Sequence, residues 1–315
     1  MSPSSLRTYF LVALALAPIL TLLRRRTRRS FKLPRKNERI LIVGASSGIG
    51  RTLAHQYAEL GVKGVCVVGR RAENIADVVT ECNSRKGPNT EIIGITGDFA
   101  EAADMVKIRT QLESLWGGID TMIVAAGVSA LLPLMEVAGA QPGNVGTDGI
   151  QHVVDVAALA TRGNYVGPLV TAVTFIPLLQ TSSPHPSILL VNSLAAVIPA
   201  PTRTIYASTK AASLLLYQAL AIEHPVIAFT HVLPSTVEGD FRASAVDGGK
   251  AREADPNKTG LKRGAVARRC ISAIERGEKN VFMPWTMGPG HLLYWIWPAF
   301  VEWRASAKYK FTPPR

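Results

Sequence analysis

Tyr206 and Lys210 stand four residues apart in Tyr206-Ala207-Ser208-Thr209-Lys210, a spacing that sets a phenol and an ammonium on one face of a helix. A phenol with an ordinary pKa of about 10 exchanges protons poorly at neutral pH, and a neighbouring ammonium favours the phenolate and lowers that value. Lys210 is therefore expected to activate Tyr206 for proton transfer. Thirteen residues upstream of Tyr206, Ser193 closes the apolar run 188–191, and Asn164 lies earlier still, on the preceding helical stretch. A core tyrosine, a surface lysine or a capping asparagine is commonplace alone; the four in this order are not.

A second cluster is Gly44-Ala45-Ser46-Ser47-Gly48-Ile49-Gly50, which follows the apolar run 40–43 and precedes a helical pattern over 52–60. Glycines between a strand and a helix permit a tight turn and let backbone N–H groups approach a pyrophosphate at the helix N-terminus. About twenty residues beyond such a turn an acid ordinarily holds the ribose 2′-hydroxyl of NAD. Here the second apolar run ends in Gly69-Arg70-Arg71, and arginine suits a 2′-phosphate, so NADP(H) is the expected cofactor.

These groups need a frame. Short β-branched-rich runs at 40–43, 65–68, 92–95, 121–124, 188–191 and 227–232 are separated by helical stretches. Strands without polar alternation, linked through helices, imply an α/β domain with a parallel sheet covered on both faces. The proline- and glycine-bearing stretch 131–148 and the polar stretch 238–262 read as loops, the second in the place where ligand-covering loops sit. Cys66, Cys82 and Cys270 are widely spaced and form neither a metal-ligand pattern nor a disulfide framework, so no metal is expected.

The ends of the chain carry a different signal. Residues 9–23 are fifteen residues without a charge, followed at once by Arg24-Arg25-Arg26. That order, apolar before basic, reads as an anchor in preference to a cleaved leader. A helix of this length reaches about 22 Å against a hydrocarbon core of about 30 Å, so spanning and interfacial lodging are both open. A spanning segment would put the basic cluster, and the body after it, on the cytosolic side. The formal charge of +12 is concentrated between Arg24 and Arg39, with nine basic residues against the single acid Glu38. The body is only mildly basic, and nucleic acid is not an expected partner. Four of five tryptophans fall in the last 31 residues, which suits a membrane interface or a helix packed on its own domain or a dimer partner. The organisation expected is an anchor and basic segment over 1–36, one catalytic domain over 37–280 and an aromatic extension over 281–315.

The glycine turn, together with the tyrosine–lysine pair, resembles the short-chain dehydrogenase/reductase family. The family pattern Thr-Gly-x-x-x-Gly-x-Gly is matched over 43–50 with Val43 in place of threonine, and the resemblance covers about residues 40–239. It implies a Rossmann-type doubly wound sheet in a single domain and a catalytic tetrad of Asn164, Ser193, Tyr206 and Lys210. It also implies cofactor contacts from Gly44, Ser46, Ser47, Gly48, Ile49, Gly50, Arg70 and Arg71, from Asp98 on the adenine, and from Ala126 and Gly127. Tyr206, Lys210, Pro234 and Val237 complete that set. In this resemblance Tyr206 exchanges a proton with the substrate oxygen and Ser193 positions that oxygen. Lys210 holds the nicotinamide ribose, and Asn164 supports a water linking Lys210 to solvent. Val124 and Ala125 replace two asparagines of the family, Ser235 replaces a glycine and Gly239 a threonine. The ends resemble those of membrane-bound reductases of steroids, retinoids and sphingoid ketones. The expected function is an NADPH-dependent oxidoreductase of a lipophilic carbonyl or alcohol, anchored in endoplasmic reticulum or lipid droplet and facing the cytosol. A catalytically silent, membrane-tethered NADP(H) sensor or scaffold is the alternative. Dimers through the helices carrying Asn164 and Tyr206 are usual for such proteins.

Overall fold

Runs such as Ile40-Leu41-Ile42-Val43 carry no polar face, so they are stable only between two covering layers. In the computed structural model, which describes residues 29–141, 143–243, 245–250, 252 and 254–312, these runs form one parallel seven-stranded sheet. Its strands are β1 (Arg39–Val43), β2 (Gly64–Gly69), β3 (Glu91–Thr96), β4 (Thr121–Val124), β5 (Ser187–Val191), β6 (Ala228–Pro234) and β7 (Asn280–Met283), in the order β3-β2-β1-β4-β5-β6-β7. Six of the seven match runs visible in the sequence. The seventh, β7, lies across the boundary placed at 280. With three apolar residues, cut off by Pro284, it is too short to show as a strand by pattern.

Helices α1 (Gly48–Glu59), α2 (Ala72–Asn83), α3 (Ala102–Trp116), α4 (Thr147–Thr161), α5 (Gly167–Ser182), α6 (Thr204–Glu223) and α7 (Arg263–Arg276) cover the sheet. Leu53 and Tyr57 of α1, Val78 of α2 and Val266 and Ile274 of α7 pack on one face. Met105 and Leu112 of α3, Phe175 and Leu179 of α5 and Tyr217 of α6 pack on the other. The chain runs outward from β1 to β3, then returns to β4 on the opposite side of β1. That reversal opens a crevice above the C-terminal ends of β1 and β4, where ligands bind in sheets of this kind. Two further helices, α8 (Met287–Ile296) and α9 (Pro298–Tyr309), follow β7.

The expected anchor at 9–23 lies outside the described residues. Helices α4 and α5 with the turn between them, Thr147–Ser182, are apolar and long enough by composition to cross a bilayer, yet half of an 18-residue apolar window within them is buried in the domain. The basic cluster is partly structural. Arg29 is buried and pairs with Glu38 and Thr121, Arg35 pairs with Glu275, and Arg39 pairs with Asp120. The domain therefore begins by Arg29, ahead of the boundary drawn at residue 36.

Arg39 and Asp120 close the lower end of the β1–β4 seam. The Asp120 carboxyl accepts from the Arg39 backbone N–H at 2.9 Å and from the guanidinium at 2.8 and 3.0 Å. Burial alone would raise this carboxyl, but the hydrogen bonds from Arg39 and Ser183 outweigh it and hold the group below the usual carboxylate range. Arg39→Met strands a buried carboxylate and is expected to cost about 3–5 kcal/mol by urea denaturation at neutral pH. The deficit should shrink as pH falls through the carboxylate range and vanish only below the depressed value that Asp120 has in the wild-type fold, where neither protein carries a charge there to compensate.

Candidate active site

The glycine turn is held by contact distance. Gly44 sits at φ +88° and donates to the Val68 carbonyl at 2.9 Å; a Cβ there would lie 2.4 Å from the Ala126 nitrogen. A Cβ on Gly50 would lie 2.1 Å from the Gly44 carbonyl oxygen, so α1 can start this close to β1 only with glycine. Gly48 is at φ +58° with no heavy atom within 4 Å of its Cβ position, which leaves the mouth of the turn open at the N-terminus of α1. Ser46 leans over the end of β2, its Oγ 3.4 Å from a Cβ position on Gly69, and the exposed Arg70 and Arg71 continue that rim. These residues fit a phosphorylated dinucleotide: open backbone donors for the diphosphate, with a hydroxyl and two guanidinium groups beyond.

Asp98 follows β3. One of its carboxylate oxygens accepts from the Ala100 N–H at 3.0 Å and the other pairs with Arg162 at 2.9 Å. Arg162 also reaches Glu101 at 2.7 Å. It opens a π-helical turn, Arg162–Val166, between α4 and α5. Asn164 lies inside that turn and not on a regular helix as the sequence suggests, and π turns of this kind often mark functional sites. Its side chain is fully buried. Oδ1 accepts from the Val128 N–H at 2.9 Å, while Nδ2 donates to the Val128 carbonyl at 3.0 Å and to Thr209 Oγ1 at 3.0 Å.

Lys210 is buried one turn beyond Tyr206 on α6, with Nζ 3.4 Å from the Val191 carbonyl. A Cβ on Gly127 would lie 2.9 Å from Asn164 Oδ1 and 3.1 Å from Lys210 Nζ, so the amide and the ammonium converge on the backbone after β4. Burial lowers the Lys210 ammonium to about 8. Asn192, a residue the sequence reading passes over, fastens the other side: Nδ2 donates to the Lys210 carbonyl at 3.0 Å and Oδ1 accepts from the Ser193 N–H at 2.8 Å.

The Ser193 hydroxyl, which accepts from the Ala195 N–H at 3.2 Å, also stands near enough to the Tyr206 phenol to act on its pKa. Burial raises the phenol's pKa, and the Ser193 hydroxyl and the charges of Arg203 and Arg242 pull against that without overcoming it. The expectation that Lys210 lowers Tyr206 is corrected here, because the ammonium is directed at Gly127 and Val191 and the charges acting on the phenol are the two arginines. The Arg203 guanidinium lies 5.7 Å from the Tyr206 ring and donates to Ser129 Oγ at 2.9 Å. Phe241 meets the same ring edge-on at 6.1 Å. Arg203 stands three residues before Tyr206 at the start of the same helix, a neighbour the sequence reading passes over, whereas Phe241 and Arg242 are brought here by the fold alone. Around Tyr206 the wall is apolar, formed by Ala130, Val137, Val156, Ala160 and Ile205.

Pro234 ends β6, and Val237 bridges to Leu261 beside the glycine turn's side of the sheet. A separate polar cleft of about 380 Å³, lined by residues including Gly48, Arg51, His55, Glu81 and Arg263, borders the turn but does not reach Tyr206. Cys66, Cys82 and Cys270 are buried and free, with thiols pushed upward by burial, so they are inert packing groups.

A family model described as short chain dehydrogenase matches residues 38–248, two thirds of the chain. The chain belongs to the short-chain dehydrogenase family. It is 25% identical over 289 residues to 11-beta-hydroxysteroid dehydrogenase A of Sesamum indicum, covering 87% of the chain and 76% of that protein. It is 31% identical over 203 residues to 11-beta-hydroxysteroid dehydrogenase-like 3 of Arabidopsis thaliana, covering 64% of the chain but only 60% of that relative's length. Among solved structures it superposes on a short-chain dehydrogenase from Burkholderia phymatum in complex with NAD, with a TM-score of 0.69, 17% identity and coverage of 89% and 98% of the two chains. An alcohol dehydrogenase from Thermococcus sibiricus complexed with 5-hydroxy-NADP gives 0.62, 21% identity and coverage of 78% and 94%. At these identities the structures establish the fold.

Asn164 is the residue through which the π turn holds the backbone after β4. Asn164→Ala would leave the Val128 N–H and C=O and the Thr209 hydroxyl without their partner and is expected to cost about 2–4 kcal/mol in a denaturant titration, well beyond a surface asparagine control.

Proposed function

We propose that this short-chain dehydrogenase is an NADP(H)-dependent oxidoreductase acting on a carbonyl or alcohol of a lipophilic substrate. The observation that carries the reading is the buried Tyr206 phenol, with the Ser193 hydroxyl near enough to act on it, standing at the end of the sheet where Asn164 and Lys210 converge on Gly127. A nicotinamide held there supplies or accepts the hydride. Ser193 holds the substrate oxygen by hydrogen bonding. Tyr206 donates its phenolic proton to that oxygen in reduction and takes a proton from the alcohol in oxidation. The arginine charges at Arg203 and Arg242 favour the phenolate that reduction leaves behind. Lys210, an ammonium near neutral pH, would hold the ribose hydroxyls, and Asn164 keeps the Gly127–Val128 backbone in place to face it.

Gly44, Ser46, Ser47, Gly48, Ile49 and Gly50 would carry the diphosphate, Asp98 the adenine, Ala126, Gly127, Pro234 and Val237 the remaining surface. Two arginines with no acid at the end of β2 support the phosphorylated cofactor. The apolar wall around Tyr206 and the steroid-dehydrogenase names of the plant relatives support a lipophilic substrate. We assign the body to the cytosolic face of an endoplasmic reticulum or lipid-droplet membrane, tethered by residues 9–23. Exposed Val173, Leu215 and Ile222 on α5 and α6 support a homodimer through that face.

The deciding experiment compares NADPH with NADH over steroid, retinoid and long-chain keto substrates. Tyr206→Phe is expected to lower kcat by about 10²–10⁴-fold with cofactor binding kept, because it removes the acid–base hydroxyl and leaves the ring in its packing. Tight NADPH binding without turnover on any ketone would sink the oxidoreductase reading and leave a nucleotide sensor. In a second measurement, the NADPH dissociation constant is followed from pH 7 to 9.5, the interval around the Lys210 value of about 8. Lys210 is cationic below that value and neutral above it, so affinity should fall as pH rises through it, and Lys210→Met should flatten the profile.

A further inference from the structure

A helix without charges is stable when something apolar covers it. Helix α8 reads Met-Gly-Pro-Gly-His-Leu-Leu-Tyr-Trp-Ile, has no Asp, Glu, Lys or Arg, and none of its residues is buried. Leu292 is 62% exposed, Trp295 76% and Ile296 79%, and Trp285, Trp297 and Trp303, which flank or follow the helix, are exposed as well. An apolar surface of this kind marks an interface.

The charges beside it indicate what it meets. Helix α9 and the residue after it carry Arg304, Lys308 and Lys310 against the single acid Glu302. The Arg304 guanidinium lies 5.6 Å from the Trp303 ring and the Lys308 ammonium 5.3 Å from the Tyr309 ring. Exposed indole rings set among long basic side chains match the headgroup level of a phospholipid surface, apolar on one side and anionic on the other. A second copy of the chain has another exposed apolar stripe to use, on α5 and α6.

The hairpin is also fastened to the site. His291 Nδ1 donates to the Val197 carbonyl at 2.8 Å, and a Cβ on Gly290 would lie 3.6 Å from Ile198 Cδ1. On the other side, a Cβ on Gly288 would lie 3.2 Å from the Phe282 ring of β7. Val197 and Ile198 belong to the short loop that begins at Ser193, so α8 lies against the backbone that carries the site serine.

We infer that α8 and α9 form a docking surface for an anionic phospholipid bilayer, separate from residues 9–23, and that docking brings the Ser193–Tyr206 end of the sheet to the membrane interface. The docking stands by itself; its consequence for substrate supply rests on the oxidoreductase reading. A lipophilic substrate would then pass from the bilayer along α8 to the loop at Ser193 without crossing bulk water.

Tryptophan fluorescence tests it on the full chain. Residues 1–28 contain no tryptophan and Trp116 is buried on α3, so the emission that a lipid quencher can reach comes from this hairpin. The chain is reconstituted in phosphatidylcholine–phosphatidylserine vesicles with acyl chains brominated near the glycerol. Strong quenching is expected, and Leu292→Glu with Ile296→Glu, which keeps every tryptophan, should remove more than about half of it with the thermal midpoint unchanged. The same double variant should raise KM for a long-chain ketone delivered in vesicles by about tenfold and leave kcat/KM for a small water-soluble ketone unaltered. If no ketone is turned over, the oxidoreductase reading fails while the quenching still decides the docking. A chain that sediments with vesicles through its N-terminal segment but whose emission ignores brominated lipid overturns the inference, and places that segment or a second copy on the hairpin. A chain that stays in the supernatant overturns it as well.

Discussion

The buried ammonium of Lys210 is the constraint around which the site is arranged. An unpaired cation inside a protein is costly, and among the described residues no carboxylate pairs with this one; it is held by the Val191 carbonyl and faces the Asn164 amide oxygen across Gly127. The surrounding structure is what keeps that arrangement. Asn192 grips α6 by the Lys210 carbonyl, Asn164 grips the backbone after β4, and Thr209 joins the two. Cationic near neutral pH and losing its proton only a little above, Lys210 is poised to serve an anionic or polyhydroxylated ligand in the crevice.

Tyr206 shows the same balance with the opposite sign. Burial keeps its proton on, which suits a donor, and the arginines and Ser193 limit how far burial can push. Arg203 is itself buried, with Ser129 as a partner and the Tyr206 ring beside it, so the charge acting on the phenol is fixed in place. The i, i+4 spacing of Tyr206 and Lys210 does put them on one face of α6, but each answers to a different set of neighbours. Division of labour between a proton donor and a cation holder follows from those surroundings.

Arg162 connects the two ends of the crevice. Its guanidinium pairs with Asp98, at the adenine end in the family pattern, while its backbone opens the π turn that contains Asn164. A shift of that turn would be felt at both places. The glycine turn supplies the third fixed point, because Gly44 and Gly50 bring β1, the backbone at Ala126 and α1 to contact distance. Departures from the family pattern fall where the fold absorbs them: Val43 and Val124 are buried strand residues, and Ser235 hydrogen-bonds to β7 through its backbone.

By itself the sequence determined the parallel α/β sheet and the glycine turn, and it marked Asn164, Ser193, Tyr206 and Lys210 as candidates. Continuous apolar runs, a strand–glycine–helix succession and a fixed Tyr–Lys spacing are local properties, and local sterics and hydrogen bonding tie them to structure. It could not show β7, whose three apolar residues form a strand only because β6 offers an open edge beside them. Nor could it show that Arg29, Arg35 and Arg39 of the basic segment pair within the fold, since Glu38, Glu275 and Asp120 are brought to them by packing alone. The placing of Phe241 and Arg242 beside Tyr206 and the bare flank of α8 were likewise decided by tertiary structure: electrostatic environment and burial depend on residues far apart in the chain, and periodicity carries no record of which of them meet.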